Sequence, residues 1–382
     1  MLGMHSRREQ FIRKLHASGR RFVVATTGGG ATAVAWLTSV PGGSQSLIDA
    51  AIPYSREALE ALFGMRCQTT CTAETSRQMA MAAWQHAAKL AGQPRSQLIG
   101  IGATAALRSD RPKRGEHRVH ASWQTAFETG TLSLVLDKGH RTRLAEEQIA
   151  SDLVLSAMAR SLHADFTDML LTDNDRLSVC QATGDSAISE LLLGDKPLAC
   201  FGVHPDELAE CVVLAGSFNP LHRGHRRMAE VASQLTRRKA VFEISLTNVD
   251  KPALDFFALN HRKQQFQSLP FVVTAAPTFV EKSALLPGCI FAVGADTATR
   301  LAETQYYAGS LSARDAAIAT LTAGGHRFLV FGRLIRGKFE GLDKLHLPPA
   351  FRSLCDAVPE SLFRDDISST QLRASQQAMP PT

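Results

Sequence analysis

CVVLAGSFNPLHRGH, residues 211–225, is the stretch on which the reading of this chain turns. Cys211–Ala215 is a short apolar run of the kind that forms a buried strand. Gly216 lets the backbone turn tightly at the strand's end, where open α/β sheets bind ligands, with Ser217 and Phe218 following in the turn. Gly224 lets the chain approach a ligand closely. Met228, Val231, Ala232 and Leu235 then recur at helical spacing and predict a helix with one apolar face. Such a helix presents unpaired N–H groups and a partial positive charge to an anion. His222 and His225 are spaced to reach one polyphosphate and to donate hydrogen bonds to charge developing on a leaving pyrophosphate. The alternative is two histidines that merely cap a helix in a Gly-Pro turn.

Working outward, the same rhythm continues. Strands are predicted at Ala240–Leu246, Phe271–Thr274, Ile290–Val293 and Phe328–Phe331, with helices between them. That alternation implies a mostly parallel sheet covered on both faces. Upstream, Arg21–Thr27, Leu98–Thr104, His117–Ala126 and Thr131–Leu136 also read as strands. Helices are expected around Ala31–Val40, Thr72–Leu90 and Glu146–Leu162. Between Ala164 and Glu207 the pattern weakens and reads as a linker or irregular bridge. The expected division is therefore a domain over 1–163, a linker over 164–207, a second domain over 208–374 and a disordered tail over 375–382.

The GSFNPLHRGH loop resembles the hallmark of the nucleotidylyltransferase superfamily, His-x-Gly-His or Thr-x-Gly-His after a Gly-Ser-Phe-Asn-Pro turn. A second stretch, Asp366-Ile367-Ser368-Ser369-Thr370-Gln371-Leu372-Arg373, resembles the triphosphate-binding motif of nicotinamide and nicotinate mononucleotide adenylyltransferases. Ser368, Ser369 and Thr370 suit a helix N-terminus, and Arg373, one turn on, can fork onto a phosphate. Read alone, that stretch is equally an ordinary capped helix. Val293-Gly294-Ala295-Asp296-Thr297 places Gly294 and Asp296 where the family borders its nucleotide, although Asp296 also reads as a plain N-cap. Lys251, in Thr247–Pro252, is a candidate phosphate contact, but the stretch departs from the family's usual motif.

Residues from about 10 to 162 resemble the C-terminal domain of the competence-damage-inducible protein A family, whose active members deamidate nicotinamide mononucleotide. The resemblance is carried by the strand into Thr27-Gly28-Gly29-Gly30, then Pro41-Gly42-Gly43-Ser44, Ile52-Pro53-Tyr54-Ser55 and Gly100-Ile101-Gly102. Active members have Glu-Ser-Cys-Thr-Gly-Gly in the first loop, and this chain has Ala25-Thr26-Thr27-Gly28-Gly29-Gly30. The acid is gone and a threonine stands near the serine's place. Thr26, Thr27 and Tyr54 are thus the candidate residues, with no evident base beside the threonines. A basic loop holding Arg111, Lys113, Arg114, His117 and Arg118 offers phosphate contacts or a solvated surface. A ligand-binding or oligomerisation domain is the competing reading.

The resemblances together imply an α/β protein of two domains, the second Rossmann-like, and a nucleotidyl transfer. The expected reaction joins AMP from ATP, with Mg²⁺, to nicotinamide or nicotinate mononucleotide. The rivals are phosphopantetheine as acceptor, CTP with an alcohol phosphate, a non-catalytic nucleotide sensor, or deamidation by the first domain. Net charge of +6 with pI near 9.0 suits polyphosphate substrates, and without a long basic run it does not call for nucleic acid. Seven scattered cysteines form no zinc pattern, so no structural metal is expected and the thiols read as free in a reducing compartment. No apolar run reaches membrane-spanning length and MLGMHSRREQFIRKLH is no secretory signal, so a cytoplasmic protein is expected. A homo-oligomer is among the arrangements the sequence allows.

Overall fold

The computed structural model describes residues 2–64, 66–67, 69–90, 92, 94–111, 114–248, 252–335 and 338–365. Two mixed α/β units emerge, Met1–Asp195 with Asp250–Asn260, and Lys196–Val249 with His261–Thr382.

The first unit holds strands β1 (Arg21–Thr27), β2 (Leu47–Ala51), β3 (Leu98–Ala106), β4 (His117–Gln124), β5 (Glu128–Leu136) and β6 (Arg176–Thr183). They lie in the order β2-β1-β3-β4-β5-β6. The first three are parallel, and β3 to β6 run antiparallel. Helix Arg143–Arg160 is buried along most of its length, with Ile149, Leu153, Val154 and Ala157 in the core. Helix Ala73–Leu90 packs against β3 so closely that a Cβ at Gly100 or Gly102 would collide with the carbonyls of Ala80 or Ser76. The Gly-Ile-Gly spacing in that strand is thus a requirement of helix–strand packing.

The second unit holds β7 (Leu198–Phe201), β8 (Cys211–Ala215), β9 (Lys239–Ser245), β10 (Phe271–Thr274), β11 (Ile290–Gly294), β12 (Arg327–Phe331) and β15 (Cys355–Val358), with a small hairpin, β13 (Arg333–Ile335) and β14 (Lys338–Glu340), after β12. The large sheet runs β15-β12-β11-β8-β9-β10-β7. Only β7, against β10, is antiparallel. Counted from β8, the parallel strands stand 3-2-1-4-5-6, the doubly wound order whose ligand crevice opens between strands 1 and 4. Here those are β8 and β11. Ala292 pairs with Leu214, so Gly216 and Gly294 leave the sheet at one level, on neighbouring strands.

Two expectations need correction. Residues 164–207 are not an irregular linker: they contain β6, helix Ser186–Leu193, β7 and the 3-10 turn from Pro205. Both faces of β6 meet solvent, which removes the apolar alternation that would mark a strand, and β7 has only four residues. The second domain is also not continuous from 208. Asp250–Asn260 belongs with the first unit, where Arg77 pairs with Asp255 at 2.8 Å and the buried Phe256 donates its N–H to Thr129 Oγ1 at 3.1 Å. The expected tail, 375–382, lies outside the described residues.

Candidate active site

The loop after β8 delivers both histidines to the start of helix Arg223–Thr236, with His222 at its N-cap. The two imidazoles stack, centroids 3.7 Å apart. The His222 N–H donates to His225 Nδ1 at 3.3 Å. His225 therefore carries its proton on Nε2, a neutral donor turned away from its own backbone. Burial, then the neighbouring His222, holds the His225 pKa down at about 3. Burial also lowers His222, and the Asp365 carboxylate offsets part of that.

The turn beneath is over-determined. Phe218 is buried at a left-handed φ of 43°, and its ring meets His225, Phe242 and Phe266 edge-on at 5.0, 5.3 and 5.5 Å. A Cβ at Gly216 would sit 2.8 Å from that buried ring, a steric conflict, and one at Gly224 would stand in tight contact with the His222 ring at 3.1 Å. Arg262 Nε donates to the Ser217 carbonyl at 2.9 Å, and Gln265 Oε1 accepts the Leu221 N–H at 2.6 Å. Arg262 and Gln265 come from helix Phe256–Phe266 and escaped the sequence reading, since nothing local marks them as partners of a loop more than forty residues upstream. The helix face differs slightly from expectation: Val231 and Ala232 are buried, whereas Leu235 is exposed.

Gly294 caps helix Ala295–Ala302, and nothing lies within 4 Å of where its Cβ would stand. Asp296 is therefore not the N-cap. It is half-exposed and ion-paired with Arg333, a partner the sequence did not suggest. Lys251, Ser368, Ser369, Thr370 and Arg373 lie outside the described residues, as does Lys113 of the basic loop. Asp365, the last described residue before the second motif, has its carboxyl carbon 3.3 Å from where a Gly224 Cβ would stand, and its Oδ2 lies 3.8 Å from Arg223 Nε.

In the first unit the candidate threonines are committed elsewhere. Thr26 Oγ1 donates to the Gly29 carbonyl at 2.5 Å and Thr27 Oγ1 to the Pro53 carbonyl at 2.8 Å, both buried. Tyr54 is 68% exposed. The N–H groups of the glycine loop converge on a carboxylate of the chain itself. Glu147 accepts from the Gly30 N–H at 3.0 Å and the Thr32 N–H at 3.1 Å, and Arg143 bridges from Glu147, at 3.4 Å, to the Gly28 carbonyl, at 3.0 Å. The preceding Glu146 accepts from the Arg108 N–H at 2.6 Å and contacts His117 Nδ1 at 2.7 Å, closing both ends of the basic loop.

Residues 213–375 match the family model described as Cytidylyltransferase-like, so the C-terminal half carries a nucleotidyltransferase domain. Similar solved structures include a competence/damage inducible protein from Agrobacterium tumefaciens, 15% identical, covering 42% of this chain and 94% of that one at a TM-score of 0.33. A competence or damage-inducible protein from Enterobacter asburiae is 17% identical, covering 42% of this chain and 96% of that one at 0.33. A competence-damaged protein (CinA) superfamily protein from Escherichia coli is 14% identical, covering 42% and 88% at 0.32. No curated protein matches the chain. No helix among the described residues is long and apolar enough to cross a membrane, and no group of three or more His, Cys, Asp or Glu among them is placed to hold a metal ion.

Proposed function

We propose that the second unit transfers AMP from ATP to nicotinamide or nicotinate mononucleotide in the cytoplasm, forming the dinucleotide and releasing pyrophosphate. The observation that carries this reading is the pair of stacked histidines at a helix N-terminus, at the crevice between β8 and β11. The acceptor phosphate attacks the α-phosphorus of ATP in line, and the bond to the β,γ-pyrophosphate breaks. The side chains form no bond to phosphorus. They position the two reactants and stabilise charge on the leaving pyrophosphate. Mg²⁺ enters with ATP as part of the substrate.

A neutral His225 suits this role. Its Nε2–H donates whatever the pH between about 4 and 8, and no proton has to be removed first. Asp365 beside Gly224 supports a shared site, because the motif holding Ser368–Arg373 begins one residue later. The choice of ATP and of a pyridine mononucleotide rests on the resemblance of that motif. The test is pyrophosphate release across acceptors, namely nicotinamide mononucleotide, nicotinate mononucleotide, phosphopantetheine and an alcohol phosphate, each with ATP and with CTP. Release only with CTP, or only with the last two acceptors, overturns the substrate assignment. Nucleotide binding without release with any pair would make the domain a sensor.

A further inference from the structure

In an antiparallel ladder, alternate residues of an outer strand point both N–H and C=O away from the sheet. Proteins usually blunt such an edge with a very short strand, a proline, a lysine or a bulge. The outer strands β2, β7 and β15 follow that rule with five, four and four residues. Strand β6 does not. It has eight residues, Arg-Leu-Ser-Val-Cys-Gln-Ala-Thr, without proline or lysine, and its pairing with β5 runs unbroken from Val135↔Arg176 to Glu128↔Thr183. Its other edge pairs with no described strand, and seven of its eight residues are exposed. Leu177 and Val179, on one face, are 43% and 48% exposed.

We propose that β6 pairs antiparallel with β6 of a second copy about a two-fold axis at Ser178, joining two six-stranded sheets into one. The strand is self-complementary in that register. Residue numbers of cross-strand neighbours then sum to twice 178, which sets Leu177 opposite Val179 of the second copy, and Val179 opposite Leu177. Both apolar side chains lie on one face, so each covers the other. The only charge on the strand, Arg176, falls opposite Cys180 and not opposite a second arginine, and Glu116 already pairs with it at 2.8 Å. No like-charge contact opposes the join. A second copy is the fitting occupant because it brings the same open edge and the same two apolar side chains. This inference stands apart from the nucleotidyl transfer and survives its failure.

Sedimentation of the full chain between about 1 and 100 µM tests it. The expected species has twice the 41.4 kDa chain mass. Val179→Lys should raise the dimer dissociation constant at least tenfold while leaving the circular dichroism of the folded chain unchanged. A chain that stays monomeric at every concentration overturns the proposal, including the case in which another protein's strand fills the edge. So does a dimer that a folded Val179→Lys variant leaves intact. Should that variant not fold, cross-linking decides. Ser178→Cys in a Cys180→Ser background places two thiols at the axis, and mild oxidation should give a covalent dimer that Cys180→Ser alone does not. The absence of that cross-link overturns the proposal.

Discussion

Each unit turns a corner from a parallel strand through glycines into a helix, and the two corners hold opposite kinds of side chain. In the first unit the loop after β1 points its N–H groups at Glu147. In the second the loop after β8 carries His222 and His225 at its helix N-terminus, stacked on each other. One corner is neutralised by the chain's own carboxylate. The other presents uncharged donors where an anion is expected to bind. The same backbone physics favours an anion at both places, so the difference lies in whether the fold supplies that anion itself.

The largest effect should come from emptying the second corner of its donor. His225→Ala is expected to cut pyrophosphate release about 10²-fold or more, the scale of losing a preorganised donor to developing charge. The fold should hold, because the ring's partner Phe218 remains packed on Phe242 and Phe266, which also meet each other. Near wild-type turnover in a folded variant removes the catalytic assignment. The pH profile sharpens the point. With a pKa held near 3, His225 stays neutral in the folded protein, so no loss of activity from its protonation is expected until the pH nears 4. An activity limb at pH 6 to 7 that vanishes in His225→Ala would show the group ionising far higher.

Next comes the second motif. Arg373→Ala should raise the KM for ATP about tenfold or more, the worth of a charged hydrogen bond, and raise that for the mononucleotide less. Arg373→Lys keeps the charge but loses the planar fork, so it should recover only part of the loss. Equal effects on both substrates would place Arg373 elsewhere than at the triphosphate.

What could be read beforehand follows a physical rule. The strand–turn–helix after Ala215 was legible because each step is local: apolar run, obligatory glycine, helical spacing. A mostly parallel sheet followed from several such steps in a row, whereas the order of its strands came from the structure. Glu147 was not legible, because it reaches its loop from 117 residues away and a glutamate on a helix looks the same whether it meets water or an amide. Asp296 was placed near the right strand end, yet its pairing with Arg333 depends on the register of β11 against β12. Strand β6 was missed because solvent on both faces erases the alternation by which strands are recognised.

The first corner gives a smaller effect. Glu147→Ala leaves the Gly30 and Thr32 N–H groups without their acceptor in a half-buried place. The expected cost is about 1–3 kcal/mol, seen as a lower melting transition of the first unit. Glu147→Gln keeps one acceptor oxygen and should cost less. Pyrophosphate release at a temperature where the variant remains folded should stay within about twofold. A melting transition unchanged in Glu147→Ala would mean that water replaces the carboxylate without loss, and the corner would count as open.

The smallest effect is expected from the threonines on which a deamidase reading of the first unit depends. A nucleophilic hydroxyl needs a base within hydrogen-bond reach and a path to substrate. The Thr26 and Thr27 hydroxyls have neither in evidence: both are buried, and each gives its proton to a backbone carbonyl. A carbonyl accepts a hydrogen bond but does not take the proton, so these contacts anchor the loop without activating the oxygen. Thr26→Ala and Thr27→Ala should therefore leave pyrophosphate release unchanged. Ammonia release from nicotinamide mononucleotide should be near background in both variants and in the parent protein. Each substitution removes one buried hydrogen bond, so melting should shift only by the worth of that bond, about 1 kcal/mol. Robust ammonia release by the parent, abolished in either variant, would show that the loop rearranges around substrate and that Glu147 gives way to it. The two corners would then differ in occupancy at rest but not in function.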